Sequence, residues 1–371
     1  MNLLTVVLLT LVIALLILIV KVGEAIGESF SLLPFLSTFF RKGYWKNIAL
    51  DAEKQAYNLN KFQIDLPILK IYVKRPLPGL GRSHNRDFLR ILSWNIERGF
   101  QPDALSAYIN EITPDIVCLQ EVDWGNERTN KLDVLDYLAR ETSMEGLFGI
   151  EFHEIKTPFR GPRLAGGGVH GNAILTNIRP NRTFRIELPQ IYEWENLAAD
   201  NNRYALLEGR VGGRFALCSE YNIQGRDYLI CSTHLEDKDG GVEGRLSQIE
   251  HLMGEIASKI KKDTVSVIAG DMNTSDNLLS RLAGRNKASQ SPDKPWLISE
   301  CEWWKKEFLP RTMYFDPFDC KAWTYKLLYA YREKLDWILV SSNCEIFNCG
   351  LGGFNTSDHR PLWVDIRINS N

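Results

Sequence analysis

Asp271 and Asn273 stand two residues apart, just after the apolar run Val265-Ser-Val-Ile-Ala269. A carboxylate and an amide at that spacing past a strand end can point into one pocket. The carboxylate can hold a proton or a metal, and the amide can donate to a charged oxygen. Taken alone, the pair fits an Asx turn equally well. Similar polar groups close or open other apolar runs. Ser93-Trp-Asn-Ile-Glu-Arg98 carries Asn95 and Glu97, and Cys118-Leu-Gln-Glu-Val-Asp123 carries Gln120 and Glu121. His170-Gly-Asn172 opens a run, Ser232-Thr-His-Leu-Glu236 brings His234, and Ser357-Asp-His359 precedes the last run. Each fits a capping, turn or core role by itself. Asp336 is different, because it lies inside Leu335-Asp-Trp-Ile-Leu-Val340. A buried carboxylate needs a partner, and a nearby histidine is the obvious one.

The elements that must position these groups are mostly strands. β-branched and apolar runs predict strands over Leu89–Trp94, Ile116–Leu119, Asn172–Thr176, Ala205–Gly209, Tyr228–Ser232, Val265–Ala269, Leu335–Val340 and Leu362–Ile368. Helices are predicted over Pro102–Ile112, Lys131–Glu141 and Val242–Ile260, the last with Leu246, Ile249, Leu252, Met253, Ile256 and Ile260 near helical spacing. Strands outnumber helices and do not alternate strictly with them. A two-sheet core flanked by helices fits this better than one doubly wound parallel sheet.

The chain has 371 residues and 44% apolar content, ample for one large core. Lys plus Arg is 44 against 46 for Asp plus Glu, a formal charge of -2 that lends no support to a strongly basic nucleic-acid surface. No Cys-x-x-Cys or Cys/His metal spacing occurs, so neither a zinc site nor a disulfide framework is expected. Cys118 and Cys231 read as buried thiols, and the odd cysteine count leans towards a reducing compartment.

Leu3–Val20 is apolar apart from Thr5 and Thr10. At about 1.5 Å per residue it approaches the roughly 30 Å hydrocarbon core. We expect a single-pass transmembrane helix within residues 1–22. The alternative is a signal peptide cleaved near Gly23-Glu24-Ala25, leaving a secreted protein. No Lys or Arg precedes the run, and it exceeds the usual h-region. Lys21, Arg41, Lys42 and Lys46 follow it, which places the bulk of the protein in the cytoplasm by the positive-inside tendency. Phe30–Phe40 and Arg41-Lys-Gly-Tyr-Trp-Lys46 suit a membrane interface, so residues 23–88 read as an interfacial segment and connector, and 89–371 as the main domain.

Taken in order, Trp-Asn-Ile-Glu, Leu-Gln-Glu-Val-Asp, Gly-Asn, Thr-His-Leu-Glu, Gly-Asp-Met-Asn, Leu-Asp-Trp and Ser-Asp-His resemble the endonuclease/exonuclease/phosphatase, or deoxyribonuclease I-like, superfamily. The resemblance spans roughly Leu89 to Ile368. It implies a four-layer α/β sandwich with two packed mixed β-sheets flanked by helices. It implies Glu121 as the main Mg2+ ligand (Mn2+ being the substitute), with Asn95 beside it, Glu97 as a further acid and Asp358 near a second metal position. Asp271 would orient or deprotonate water, and Asn273 and Asn172 would contact the phosphate. His359 would be the essential histidine, as base or as electrophile, with Asp336 holding its ring. His234 would be a general acid or phosphate contact.

The substrate implied is a phosphodiester, in nucleic acid slightly ahead of a lipid head group. Arg160, Arg163, Lys238 and Arg245 could line a basic groove, but Glu236, Asp237, Asp239 and Glu243 are interspersed with them. The anchor suits a lipid phosphodiesterase on a bilayer as well as a tethered nuclease. A catalytically inactive binding domain is the remaining alternative, and no protein partner is expected.

Overall fold

The computed structural model describes residues 66–75, 86–155, 161–191, 209–237, 240–274, 299–327 and 331–368. Its strands are β1 Ile71–Lys74, β2 Phe88–Asn95, β3 Ile116–Trp124, β4 Glu145–Glu154, β5 Val169–Thr176, β6 Arg182–Glu187, β7 Arg210–Gly212 and β8 Phe215–Ile223. They continue as β9 Arg226–His234, β10 Val265–Asp271, β11 Tyr314–Phe315, β12 Tyr325–Leu327, β13 Tyr331–Glu333, β14 Asp336–Ser341, β15 Ile346–Leu351 and β16 Leu362–Arg367. The α-helices are α1 Pro102–Ile112, α2 Val134–Thr142, α3 Gly241–Lys259 and the short α4 Glu300–Trp303.

One sheet runs β1-β4-β5-β3-β2-β16-β15 with β7 on β4, and the other runs β11-β14-β10-β9-β8-β6. Among the described strands only β2–β3 and β9–β10 pair in parallel, so both sheets are mixed; β12 and β13 form a separate two-stranded sheet. Side chains alternate across each strand, and both faces are covered. Ile91, Cys118, Val267, Ile338 and Val364 join one buried cluster that both sheets supply. Leu92 and Leu119 point the other way, into a cluster with Leu105 and Ile109 of α1 and Leu138 of α2. Ile268 and Leu339 meet Ile249, Leu252 and Ile256 of α3 on the far face of the second sheet. The order of layers is therefore helix, sheet, sheet, helix, as expected. Each fully buried Ile or Leu contributes about 1.5–3 kcal/mol, so the double-sided burial is the main term holding the layers together.

Part of the sequence reading lies outside the described residues, and two parts of it differ from the structure. The anchor expected within residues 1–22, the interfacial segment and most of Ala205–Gly209 lie outside the described residues, among which no helix is long and apolar enough to cross a membrane. Ile71–Lys74, inside the stretch read as connector, pairs with β4 as an edge strand of the first sheet. Four residues are too short a run to stand out before they pair.

The cysteine reading is corrected. Cys218 and Cys231 form a disulfide, as do Cys301 and Cys320, while Cys118 is a buried free thiol. The turn Gln224-Gly225, with both residues at positive φ, closes the β8–β9 hairpin and sets Cys218 directly opposite Cys231. That pairing comes from register, which cysteine spacing does not reveal.

Candidate active site

Parallel pairing of β2 with β3 sets Asn95 opposite Gln120 at the strand ends. In the second sheet, Asp271 is opposite both His234 of β9 and Asp336 of β14. Face-to-face packing of the sheets brings these two rows together. The Asn95 side-chain nitrogen donates to Glu121 Oε1 at 3.2 Å and to Asp271 Oδ2 at 3.1 Å, joining the sheets through one amide. Glu121 sits where the β3–β5 register shifts, with φ at 56°, and Asn273 has φ at 52°. A bulge and left-handed residues at the same rim re-aim side chains at a modest conformational cost.

His359 Nδ1 is 2.8 Å from Asp336 Oδ2, and its Nε2 is 3.8 Å from Asp271 Oδ2. The backbone around it is fixed by Trp94 Nε1, which donates to the His359 carbonyl at 3.0 Å, and by the Ser357 hydroxyl, which accepts from the His359 amide at 3.1 Å. Burial disfavours the imidazolium. The charges of Asp336 and Asp271 and the Asp336 hydrogen bond outweigh it, and the His359 pKa is raised well above the ordinary value. Burial, with Asp336 adding, pushes the Asp271 carboxyl up to about 7 despite His359. Burial, then the Arg214 charge, holds His234 well below the ordinary value, so it is neutral; its Nε2 is 3.6 Å from Asp271. The three histidine and aspartate groups Asp336, His359 and Asp271 thus form a relay with a cation in the middle and a proton acceptor poised near neutrality.

Glu121, Glu97 and Asp358 make an acidic cluster beside that relay. Burial raises Glu97 to about 7, with the charges of Asp358 and Glu121 adding to it. Burial and Glu121 likewise raise Asp358, although His359 opposes. Glu121 itself stays ionised, since the charges of Arg98 first, and of His170 and His359 with it, overcome its burial. Mutual repulsion of hard oxygen donors, with few nitrogens and no thiolate, is the donor chemistry that suits Mg2+ or Mn2+. The residues fit such an ion. Asp271, Asp336 and His359 also lie close enough to share a cation. We read that trio as the relay, because Asp336 already occupies one ring nitrogen and Asp271 faces the other.

The remaining expected residues fall at the same rim with some differences. Asn172 is fully buried; its amide donates to the Phe215 carbonyl at 3.1 Å, while its Oδ1 has no hydrogen-bond partner. The Asn273 amide donates to the Leu235 carbonyl at 3.0 Å, so it braces the turn. Glu97 Oε1 lies 2.6 Å from Arg163 Nη2. Arg245 does not line a groove: it is buried against Glu300 at 2.5 Å. Arg160 and Lys238 lie outside the described residues.

Two residues escaped the sequence reading. Arg98 Nη1 is 3.5 Å from Glu121 Oε2. The Tyr325 ring lies 4.9 Å from that of His359 by centroids, and Tyr325 and His359 form a backbone bridge. Burial and then Asp358, Glu121 and Asp271 raise the Tyr325 phenol, which places it against the carboxylate cluster. Tyr325 lies in a three-residue strand with no polar pattern to mark it.

A sequence model of the Endonuclease/Exonuclease/phosphatase family matches residues 92–359. No curated protein matches the chain. Among solved structures, the endonuclease/exonuclease/phosphatase from Beutenbergia cavernae is similar at 20% identity and TM-score 0.52, covering 77% of this chain and 72% of its own. One from Bacteroides vulgatus matches at 16% identity and TM-score 0.49, over 76% and 99%. The human Nocturnin catalytic domain matches at 16% and 0.45, over 76% and 94%. The first supports the fold; the other two are too distant to carry more. The span of the family match decides the matter, and the chain belongs to the endonuclease/exonuclease/phosphatase family.

Proposed function

We propose that this phosphoesterase hydrolyses phosphodiester bonds with a divalent cation, Mg2+ or Mn2+, held by Glu121 and Asn95 with Asp358 and Glu97 nearby. The observation that carries the reading is the Asp336–His359–Asp271 relay lying one amide away from Glu121. The bound cation would polarise the phosphoryl oxygens and offset their charge. Asp271, buried and near neutrality, accepts a proton from the attacking water. His359 stays cationic because of Asp336 and so acts as electrophile and proton donor to the leaving oxygen. Neutral His234 supplies a phosphate contact, and Asn172 would join it through its amide nitrogen, which also donates to the Phe215 carbonyl. The water oxygen bonds to phosphorus, the ester oxygen leaves with the His359 proton, and a monoester and an alcohol result.

Nucleic acid remains our preferred substrate. Trp323 and Phe354 stack at 5.6 Å beside the His359 segment, with Arg332 over the Trp323 ring at 3.9 Å and Lys326 over Phe354 at 5.6 Å. Aromatic faces set among cations suit unpaired bases and their phosphates. The test is hydrolysis of single-stranded DNA and RNA, plasmid DNA, and sphingomyelin or phosphatidylinositol vesicles. Release of lipid head groups with nucleic acids intact would refute the preference and leave the site assignment standing.

We also propose that Leu3–Val20 tethers the domain to a bilayer. The two disulfides favour its oxidising side over the cytoplasm, against the orientation drawn from flanking charges. Alkylation of the native protein before reduction tests this; seven free thiols would place it in the cytoplasm.

A further inference from the structure

Arg98 sets a cation inside the acidic pocket, beside Glu121. Glu97, Arg98 and Gly99 follow one another with φ at 47°, 64° and 78°. Two consecutive non-glycine residues in the left-handed region cost of order 1 kcal/mol or more each, so the turn is held there by its surroundings. Asn95 Oδ1 accepts from the Glu97 amide at 3.1 Å, and the Ile96 carbonyl accepts from the Gly99 amide at 2.9 Å. A side chain at Gly99 would collide with Val134. The result aims the Arg98 guanidinium at Glu121, the residue assigned as principal metal ligand, with both side chains still partly open at 17% and 20% exposure. At 3.5 Å the contact is an ion pair rather than a close hydrogen bond. Asn95 belongs to both arrangements: its amide binds Glu121 and Asp271, and its carbonyl pins the strained turn.

We infer that Arg98 is an exchangeable counter-cation, pairing with Glu121 in the metal-free site and turning to a non-bridging phosphate oxygen of the substrate when a divalent cation takes Glu121. This rests on the metal-site reading above. Arg98 then lowers metal affinity on its own but couples metal loading to phosphate binding. A guanidinium presents a planar fork that suits phosphate better than an ammonium does.

The test uses the full chain and two ligands, Mn2+ followed by electron paramagnetic resonance and inorganic phosphate followed by calorimetry at saturating Mn2+. Removal of a unit charge a few ångströms from the cation in Arg98→Met should tighten Mn2+ binding about tenfold. The same variant should weaken phosphate about tenfold or more, the size of one lost charge-assisted contact. Arg98→Lys, which keeps the charge in a milder change, should bind Mn2+ like the wild type and phosphate at an intermediate strength. Unchanged phosphate binding in Arg98→Met, or weaker Mn2+ binding there while Arg98→Lys is normal, overturns the exchange and leaves Arg98 a structural partner of Glu121. If Glu121→Ala binds Mn2+ as the wild type does, the metal-site reading itself fails and takes this inference with it.

Discussion

Asp336→Asn replaces one oxygen of the relay with an amide of nearly the same shape. Asp336 is fully buried, and its carboxylate lies 2.8 Å from His359 Nδ1. With charge centres about 4 Å apart and an effective dielectric of about 20, the pair interaction is roughly 4 kcal/mol. Loss of that interaction lowers the imidazole pKa well below its wild-type value. The variant should therefore lose the His359 cation near neutral pH, where the wild type keeps it. The consequence is read in a pH profile of kcat on bis(p-nitrophenyl) phosphate with Mg2+. The alkaline limb should move to lower pH, and kcat at pH 8 should fall by roughly 10²–10³. His359→Ala should cost as much or more, and the double variant little more than the worse single, since the two act as a unit. An alkaline limb that stays in place, or losses that multiply, would refute the relay.

The folded protein holds protons on Asp271 and Glu97 up to about 7 and on His359 well above its ordinary value, so it binds more protons than the unfolded chain between about pH 4 and 8. Stability of the metal-free protein should fall as pH rises through that window, by on the order of 5 °C in Tm between pH 5 and 8; a Tm that rises would contradict the assigned burial. Glu121 and His234 work the other way: Glu121 contributes fully above its ordinary value and does not vary there, while neutral His234 offsets part of the fall up to its ordinary value of 6.5. Mg2+ should raise Tm more at pH 8 than at pH 5, because its ligands must be deprotonated. Cys301 and Cys320 close a loop of 19 residues, so the double serine variant should lose about 3 kcal/mol in urea titration, and an unchanged midpoint would show the bond to be dispensable. Deletion of residues 1–46 should release an active domain from membranes that resist alkaline carbonate, since every candidate site residue follows Leu89; retention in the pellet would contradict the tether.

Much of the fold could be read in advance because both faces of each central strand are buried. Ile116–Leu119 is apolar throughout and Val265–Ala269 is apolar but for Ser266, so such runs are hard to mistake. The edge strands β1, β7, β12 and β13 are three or four residues long and gain their form only by pairing. The polar site was legible because its members end or interrupt apolar runs. Asp336 is the clearest case, a carboxylate whose burial demanded the partner that proved to be His359. Arg98 and Tyr325 were not legible, since their roles arise from a strained turn and a cross-strand bridge. The Cys218–Cys231 bond likewise depends on a two-residue turn that fixes register. The bond from the Asn273 amide to the Leu235 carbonyl was likewise not legible, since it depends on the direction of one amide.

The central claim is that one pocket joins a divalent-cation site at Glu121 to the relay at His359 and Asp271. It is tested most directly by the steady-state hydrolysis of bis(p-nitrophenyl) phosphate by the wild type, Glu121→Ala and Asp271→Asn, each with Mg2+ and with excess EDTA. The account predicts that EDTA abolishes wild-type turnover reversibly, and that each substitution lowers kcat by about 10² or more with Mg2+ present. Full turnover in EDTA, or either variant retaining the wild-type rate, would contradict it.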